Sequence, residues 1–373
     1  MTVEVRRSLL IDRGVAGGVL DEVLAYTDQA FRLPEAVHEL ALPLEDEPHL
    51  EAWRRYHRDA EHLGVFDALA RRLVQLCFPI EQGISEREEY RAVTRRGAPP
   101  PATRLPLERP GGLRLDIHPT PAGAIPVLTA ESRRDFERLV QALSCRNEPE
   151  PVPAAMGACM VAGLNNWDRI NDLRRAWEAA GGDHEESWWD EMARLEERRE
   201  LYQDRFILLS VGPYAAVGAD ELGLSEGDWL RRSHAVRLDH ECTHYLTLRV
   251  LGAMRNNLLD ELIADYAGLI AGFGEYSAPL ARRVLGLDDG GRALEGGRVA
   301  TYRGTPPLSD EGFAVVCRLA ADATRNLEAL FGSDPAVLIE PRALGWTLLA
   351  LAGRSLPELA SPEGCPTLGE ILR

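Results

Sequence analysis

The chain of 373 residues contains no lysine, so all 42 of its basic residues are arginine. That absence excludes Schiff-base catalysis, pyridoxal chemistry through an internal lysine and a phosphate loop built on lysine. A GC-rich genome, which favours arginine codons, is its ordinary compositional cause. The six cysteines (Cys77, Cys145, Cys159, Cys242, Cys317 and Cys365) include no CxxC pair. Neither a disulfide framework nor a cysteine zinc site fits that scatter, and a reducing compartment does. The opening residues, MTVEVRRSLLIDRG, hold too short an apolar stretch for a signal peptide, and the longest apolar run, Ala343 to Ala352, is of core-helix length. A cytoplasmic protein is therefore expected. Basic surface is also scarce: the net charge is −17, which argues against a nucleic-acid or anionic-membrane partner.

With 45% hydrophobic and 27% charged residues, what remains is an ordinary globular composition, long enough for two or three lobes. The predicted fold class is α+β and predominantly helical. Residues 1–96 read as an N-terminal helical region, in which Leu50 to Leu76 carries Trp53, Tyr56, Leu63, Phe66, Leu69 and Leu73 at helical spacing. Eight of the 24 prolines fall between Gly97 and Pro126, so 97–127 is expected to be a boundary segment, with Leu113 to Ile117 alternating as a strand does. The remainder, 128–373, is expected to be the catalytic region with C-terminal helices. Within it, Ala130 to Leu143 reads as a helix capped by Thr129, Met156 to Leu164 as a buried strand or helix, Glu185 to Leu201 as a charged helix and Arg205 to Val211 as a strand. Ser225 starts a long helix that runs to Leu251. A second helix covers Leu258 to Ala271 and ends at Gly272, and a glycine-rich loop spans Gly286 to Pro307. Two apolar helices, Asp310 to Leu330 and Pro341 to Leu351, finish the chain.

The long helix contains His240-Glu-Cys-Thr-His244. Positions i and i+4 lie one above the other on a helix, so both imidazoles point the same way and together can hold one divalent ion, usually zinc. Glu241 lies about a quarter-turn away, where a base for a metal-bound water belongs. A working site needs a third ligand and an outer group that orients a histidine. Glu261 and Asp265, again i and i+4, supply both on the next helix, and the short connection from Gly252 to Asn257 lets the two helices run antiparallel.

His240-Glu-Cys-Thr-His244 followed by Glu261-Leu-Ile-Ala-Asp265 resembles the gluzincin group of zinc peptidases, which includes the thermolysin-like enzymes. The resemblance implies His240, His244 and Glu261 as zinc ligands, Glu241 as general base and Asp265 as the partner of His240. It also implies a zincin-like helix pair beside a small sheet and a peptide or small amide as substrate. The gap between His244 and Glu261 is shorter than in thermolysin, which keeps Asp260 as an alternative third ligand. Gluzincins use a Tyr, His or Arg to stabilise the oxyanion; Arg255, Tyr266 and Tyr302 are candidates by residue type. Asn165, Asn166 and the strand Phe206 to Val211 are candidates to line a cleft, since thermolysin-like enzymes hold substrate backbone against an edge strand before the HExxH helix.

Two other classes stay open. Two histidines and one carboxylate also form the facial triad of iron oxygenases, and a tailoring enzyme acting on one small metabolite fits the same ligands. A binding or scaffold protein that keeps a structural metal site is the non-enzymatic alternative; Glu241 speaks against it, because a structural site has no use for a base there.

Overall fold

A computed structural model describes residues 3–28, 31–182, 185–254 and 257–371. The chain opens with α1 (Val3–Ile11) and α2 (Gly17–Tyr26), then α3 (Leu50–Leu63), α4 (Val65–Ala70) and α5 (Glu88–Arg96). Strands β1 (Leu113–His118) and β2 (Ile125–Ala130) lead into α6 (Arg133–Leu143), β3 (Ala158–Asn165), α7 (Trp167–Ala179), α8 (Glu185–Leu195) and β4 (Gln203–Ser210). The rest is helical: α9 (Glu226–Leu251), α10 (Leu258–Phe273), α11 (Ala278–Leu285), α12 (Asp310–Ser333), α13 (Pro335–Leu338), α14 (Pro341–Ala352), α15 (Leu356–Leu359) and α16 (Leu368–Ile371). The protein is thus α+β and predominantly helical.

These elements form two compact units that interleave along the chain. One comprises Met1–Leu44, Thr120–Ala122 and Gly212–Arg373; the other comprises Glu45–Pro119 and Gly123–Val211. The chain passes between units at residues 44/45, 119/120, 122/123 and 211/212. Much of the proline-rich stretch is built into the second unit, because it feeds the β1–β2 hairpin.

The second unit is organised by a sheet of order β1-β2-β4-β3, in which β2 and β4 are parallel and both outer pairings are antiparallel. The inner strands Ile-Pro-Val-Leu-Thr-Ala and Phe-Ile-Leu-Leu-Ser are buried almost throughout, as strands covered on both faces must be. Trp53 from α3 packs on Phe206 of β4 with ring centroids 4.7 Å apart, inside a core shared with Tyr56, Phe136, Leu139 and Leu208. Two sequence expectations shift here. Thr129 and Ala130 belong to β2, and Ser132 caps α6 by accepting from Asp135 N at 3.3 Å. The run Leu50 to Leu76 is not one helix: Gly64, with φ 80° and ψ 151°, separates α3 from α4.

In the first unit α10 is buried on every side over Leu258–Ile270, and α9, α12 and α14 pack around it. A helix enclosed this way needs close neighbours. A Cβ on Gly268 would stand 2.5 Å from the carbonyl oxygen of Val236 in α9, so only glycine permits this approach of the two backbones. Gly272, expected to end the helix, serves the same contact: its Cβ would meet Val236 Cγ2 at 2.5 Å, and α10 continues to a left-handed cap at Gly274. The sheet belongs to the second unit and the α9–α10 pair to the first. Among the described residues, no helix is long and apolar enough to cross a membrane.

Candidate metal centre

The α9 helix starts at Ser225, whose hydroxyl accepts from Asp228 N at 3.1 Å, and α10 starts at Asn257, whose side chain accepts from Asp260 N at 3.0 Å. Antiparallel packing sets His240 against Asp265 and His244 against Glu261 and Asp260. The two Nε2 atoms face each other at 3.2 Å, and the Glu261 carboxylate lies 3.5 Å from His240 Nε2 and 3.8 Å from His244 Nε2. All three residues are buried and offer ligand atoms within 4.8 Å of one another. Donors at zinc bond lengths around a tetrahedral ion lie about 3.3–3.6 Å apart, so this spacing fits zinc with little movement.

The charge of the cluster points the same way. Asp260, Glu261 and Asp265 are 0%, 5% and 0% exposed on a single helix, and Glu241 is half-buried nearby. Carboxylates out of water demand compensating positive charge. Burial would lower the pKa of His244, yet Asp260 at 3.3 Å from its Nδ1, with Glu241 and Glu261 beyond, raises it to about 9. The surroundings of the His244 ring thus favour a positive charge.

A second layer surrounds His240. Its Nδ1 lies 2.9 Å from Asp265 Oδ1 and 2.9 Å from the hydroxyl of Tyr214. Tyr214 donates to Asp265 Oδ1 at 2.5 Å and accepts from Arg298 Nη1 at 2.8 Å, while Arg298 Nη2 donates to Asp265 Oδ2. Burial alone would raise the Asp265 pKa, but Arg298 and His240 draw it down to about 2. Arg298 Nη1 also stands 3.7 Å from Glu261.

Both added residues are placed by their own local structure. Tyr214 follows Gly212-Pro213 in a turn that α9 grips along one face: Ser233 Oγ accepts from Tyr214 N at 2.9 Å, Arg237 donates to Gly212 O and Pro213 O, and Trp229 donates to Val217 O at 2.7 Å. Ala215 and Ala216 have φ of 51° and 57°, a left-handed pair that alanine rarely adopts and that gathers at functional sites. Arg298 opens a 3-10 turn, Arg298–Tyr302, within the segment expected to be plain loop. The neck of that loop is a backbone crossing. A Cβ on Gly297 would lie 2.7 Å from Gly286 O, and Leu294 N donates to Gly286 O at 2.8 Å, which fixes the residue next to Arg298.

Among the remaining candidates, Tyr302 is half-buried, and burial raises the pKa of its hydroxyl. Tyr266 is buried in the core against Tyr276, ring centroids 5.0 Å apart. Arg255 lies outside the described residues. Cys242 is buried, and burial holds its thiol well above the usual range; Asp239 is pushed up to about 6 by burial. His234 is half-buried and not part of the ligand group. Asn165, Asn166 and Phe206–Val211 belong to the other unit, where Asn166 caps α7 and bonds to Asp204 at 2.7 Å. The strand β4 is interior, paired to β2 and β3, and so has no free edge on which to hold a substrate backbone.

Fold and site together define a helix-rich α+β protein with a buried two-histidine, one-glutamate group on an antiparallel helix pair. Residues 8–363 match the model of a family of unknown function, DUF7005, and the chain belongs to that family. No curated protein and no solved structure matches it.

Proposed function

We propose that this protein is a zinc-dependent hydrolase that cleaves a peptide or amide bond, with His240, His244 and Glu261 as ligands and Glu241 as general base. The observation that carries the reading is a convergent ligand set inside a buried cluster with surplus negative charge: four carboxylates stand about two imidazoles, with one guanidinium alongside. Zinc bound there supplies a positive charge that polarises a carbonyl and acidifies water. Glu241 takes a proton from the attacking water and returns it to the leaving nitrogen. Tyr302, half-buried, is the residue we assign to donate to a developing oxyanion. Zinc is preferred to iron because a base adjoins the first histidine and both imidazole Nδ1 atoms face carboxylates, Asp265 and Asp260. Six cysteines with no disulfide between them support a reducing, cytoplasmic setting.

The test separates metal binding from catalysis. Glu241→Gln keeps the shape and removes the base, so zinc content stays near that of wild type while hydrolysis falls by at least about 10²–10⁴-fold. Wild type and variant are compared against cell-extract peptides and small amides by mass spectrometry. A reaction equally fast in both would remove Glu241 from the mechanism. Iron in place of zinc in protein purified without added metal, with oxygen consumed alongside substrate, would transfer the ligands to an oxygenase.

A further inference from the structure

We infer that Tyr214 and Arg298 are positioning residues that fix which nitrogen of His240 is left free for a ligand. The inference rests on the reading of His240, His244 and Glu261 as a metal site and concerns two residues outside that set. It follows from counting protons around Asp265. Arginine has only donors, so where Arg298 Nη1 meets the Tyr214 hydroxyl at 2.8 Å, the tyrosine oxygen accepts. The single tyrosine proton then has two destinations, Asp265 Oδ1 at 2.5 Å and His240 Nδ1 at 2.9 Å. The shorter contact is to the carboxylate, and a hydrogen bond to a charged acceptor is the stronger kind. Asp265 therefore receives Tyr214 and His240 on Oδ1 and Arg298 on Oδ2. An acceptor so engaged leaves one role for His240 Nδ1, that of donor. The Nδ1–H tautomer places the lone pair on Nε2, the atom that faces His244 Nε2 at 3.2 Å and Glu261 at 3.5 Å.

Remove either outer residue and the count changes. Without the Tyr214 hydroxyl, Arg298 Nη1 loses its partner and Asp265 loses one of the two donors on Oδ1. Without Arg298, the tyrosine oxygen is free to turn and give its proton to His240 Nδ1, which would send the ring proton to Nε2 and block it. Arg298 itself is held by the crossing of Gly297 over Gly286, so a change at the neck reaches His240 without touching any group of the ring.

The experiment uses the full chain with zinc and cobalt(II) as probes, and compares wild type with Tyr214→Phe, Arg298→Gln, Arg298→Lys and Gly297→Ala. Zinc affinity is read by competition with a chromophoric chelator, and the His240 tautomer by nitrogen–proton correlation spectra of the imidazoles. Expected is a single Nδ1–H form in wild type. Arg298→Gln should show mixed tautomers, Tyr214→Phe should keep the Nδ1–H form because Asp265 alone then faces Nδ1, and each should bind zinc about ten- to a hundredfold more weakly, the size of a lost outer partner of a ligating histidine. Arg298→Lys, which keeps charge but has a different donor geometry, should recover part of the loss, and Gly297→Ala should fall between. Folded Tyr214→Phe and Arg298→Gln that both keep wild-type affinity, or a folded Arg298→Gln with an unchanged tautomer, would overturn the positioning role while leaving the metal site intact. A wild type that binds neither zinc nor cobalt would overturn the metal reading and this inference with it.

Discussion

Two buried aspartates, one in each unit, are built from the same parts and do different things. In the second unit Asp204, with no exposure, accepts from Arg169 at 2.6 Å, Asn166 at 2.7 Å and the Trp53 indole at 2.8 Å. The same Arg169 runs on to backbone carbonyls of Gln203 and Glu200, and Asn166 to the Tyr56 hydroxyl at 3.1 Å. Every branch ends in a satisfied group, one charge answers one charge, and no histidine takes part. In the first unit Asp265 also has an arginine and an aromatic partner, but its third partner is His240, whose far nitrogen opens onto His244 and Glu261. Three further carboxylates, Asp260, Glu261 and Glu241, gather there around the imidazoles. A buried ion pair alone says little about function; what distinguishes the second case is that its network does not close and its charges do not balance.

Breaking the closed network should have the largest effect on stability. Arg169→Ala leaves Asp204 buried without its counter-charge, and urea unfolding should report a loss of about 3–5 kcal/mol. A loss no larger than that of a surface substitution would show that Asp204 is not held by charge. The open network should respond differently. Asp265→Ala is expected to weaken zinc binding by about ten- to a hundredfold, read by chelator competition, because His240 loses its orienting partner. If Asp265→Ala emptied the site while Glu261→Ala left it filled, the two carboxylates would exchange roles.

A hydroxyl deletion sharpens the contrast. Tyr56 donates to Asp168 at 2.9 Å and accepts from Asn166, so Tyr56→Phe should cost about 1 kcal/mol in unfolding experiments and leave zinc affinity unchanged. The smallest effect is expected at a third carboxylate, which is open to water. Glu148 accepts from Ser85 and from Gly83 N at 2.7 Å, and these bonds lower its pKa, Ser85 first. An unfolded glutamate titrates near about pH 4.3, so the stabilisation is present above that value and is lost as pH falls through the lower, folded pKa. Glu148→Gln should therefore unfold slightly more easily than wild type at pH 7, and the difference should shrink in acid; a constant difference across pH would deny the carboxylate that part.

The sequence makes some of this visible and hides the rest for a physical reason. The spacing of His240 and His244, and of Glu261 and Asp265, is a local property of helices, and so is the start of α9 at Ser225. The apolar run of β4 declares a strand without saying whether it lies at an edge, because sheet order is set by pairing between distant segments. Tyr214 and Arg298 carry no local signal. One follows a Gly-Pro turn and the other sits in a glycine-rich stretch, and 84 residues separate them. Gly272 misleads for a related reason. A glycine at the end of an apolar run marks a helix terminus when the surroundings are water, and a packing contact when another backbone lies against it. Nothing in the sequence alone tells Gly272 from Gly274.

The neck at Gly286 and Gly297 also says where this protein can be lengthened. Arg298 is held from the crossing, so the span between the two glycines is free to vary provided the crossing survives. Within that span Asp289, Gly290, Glu295 and Gly296 are exposed, whereas Leu287 and Gly291 are buried. Exposed loop tips are where insertions and nicks are tolerated. A tag, a cleavage site or a few added residues placed between Asp289 and Gly290 would hang outside the closed neck, which makes that tip a handle for immobilising the protein without disturbing the histidines.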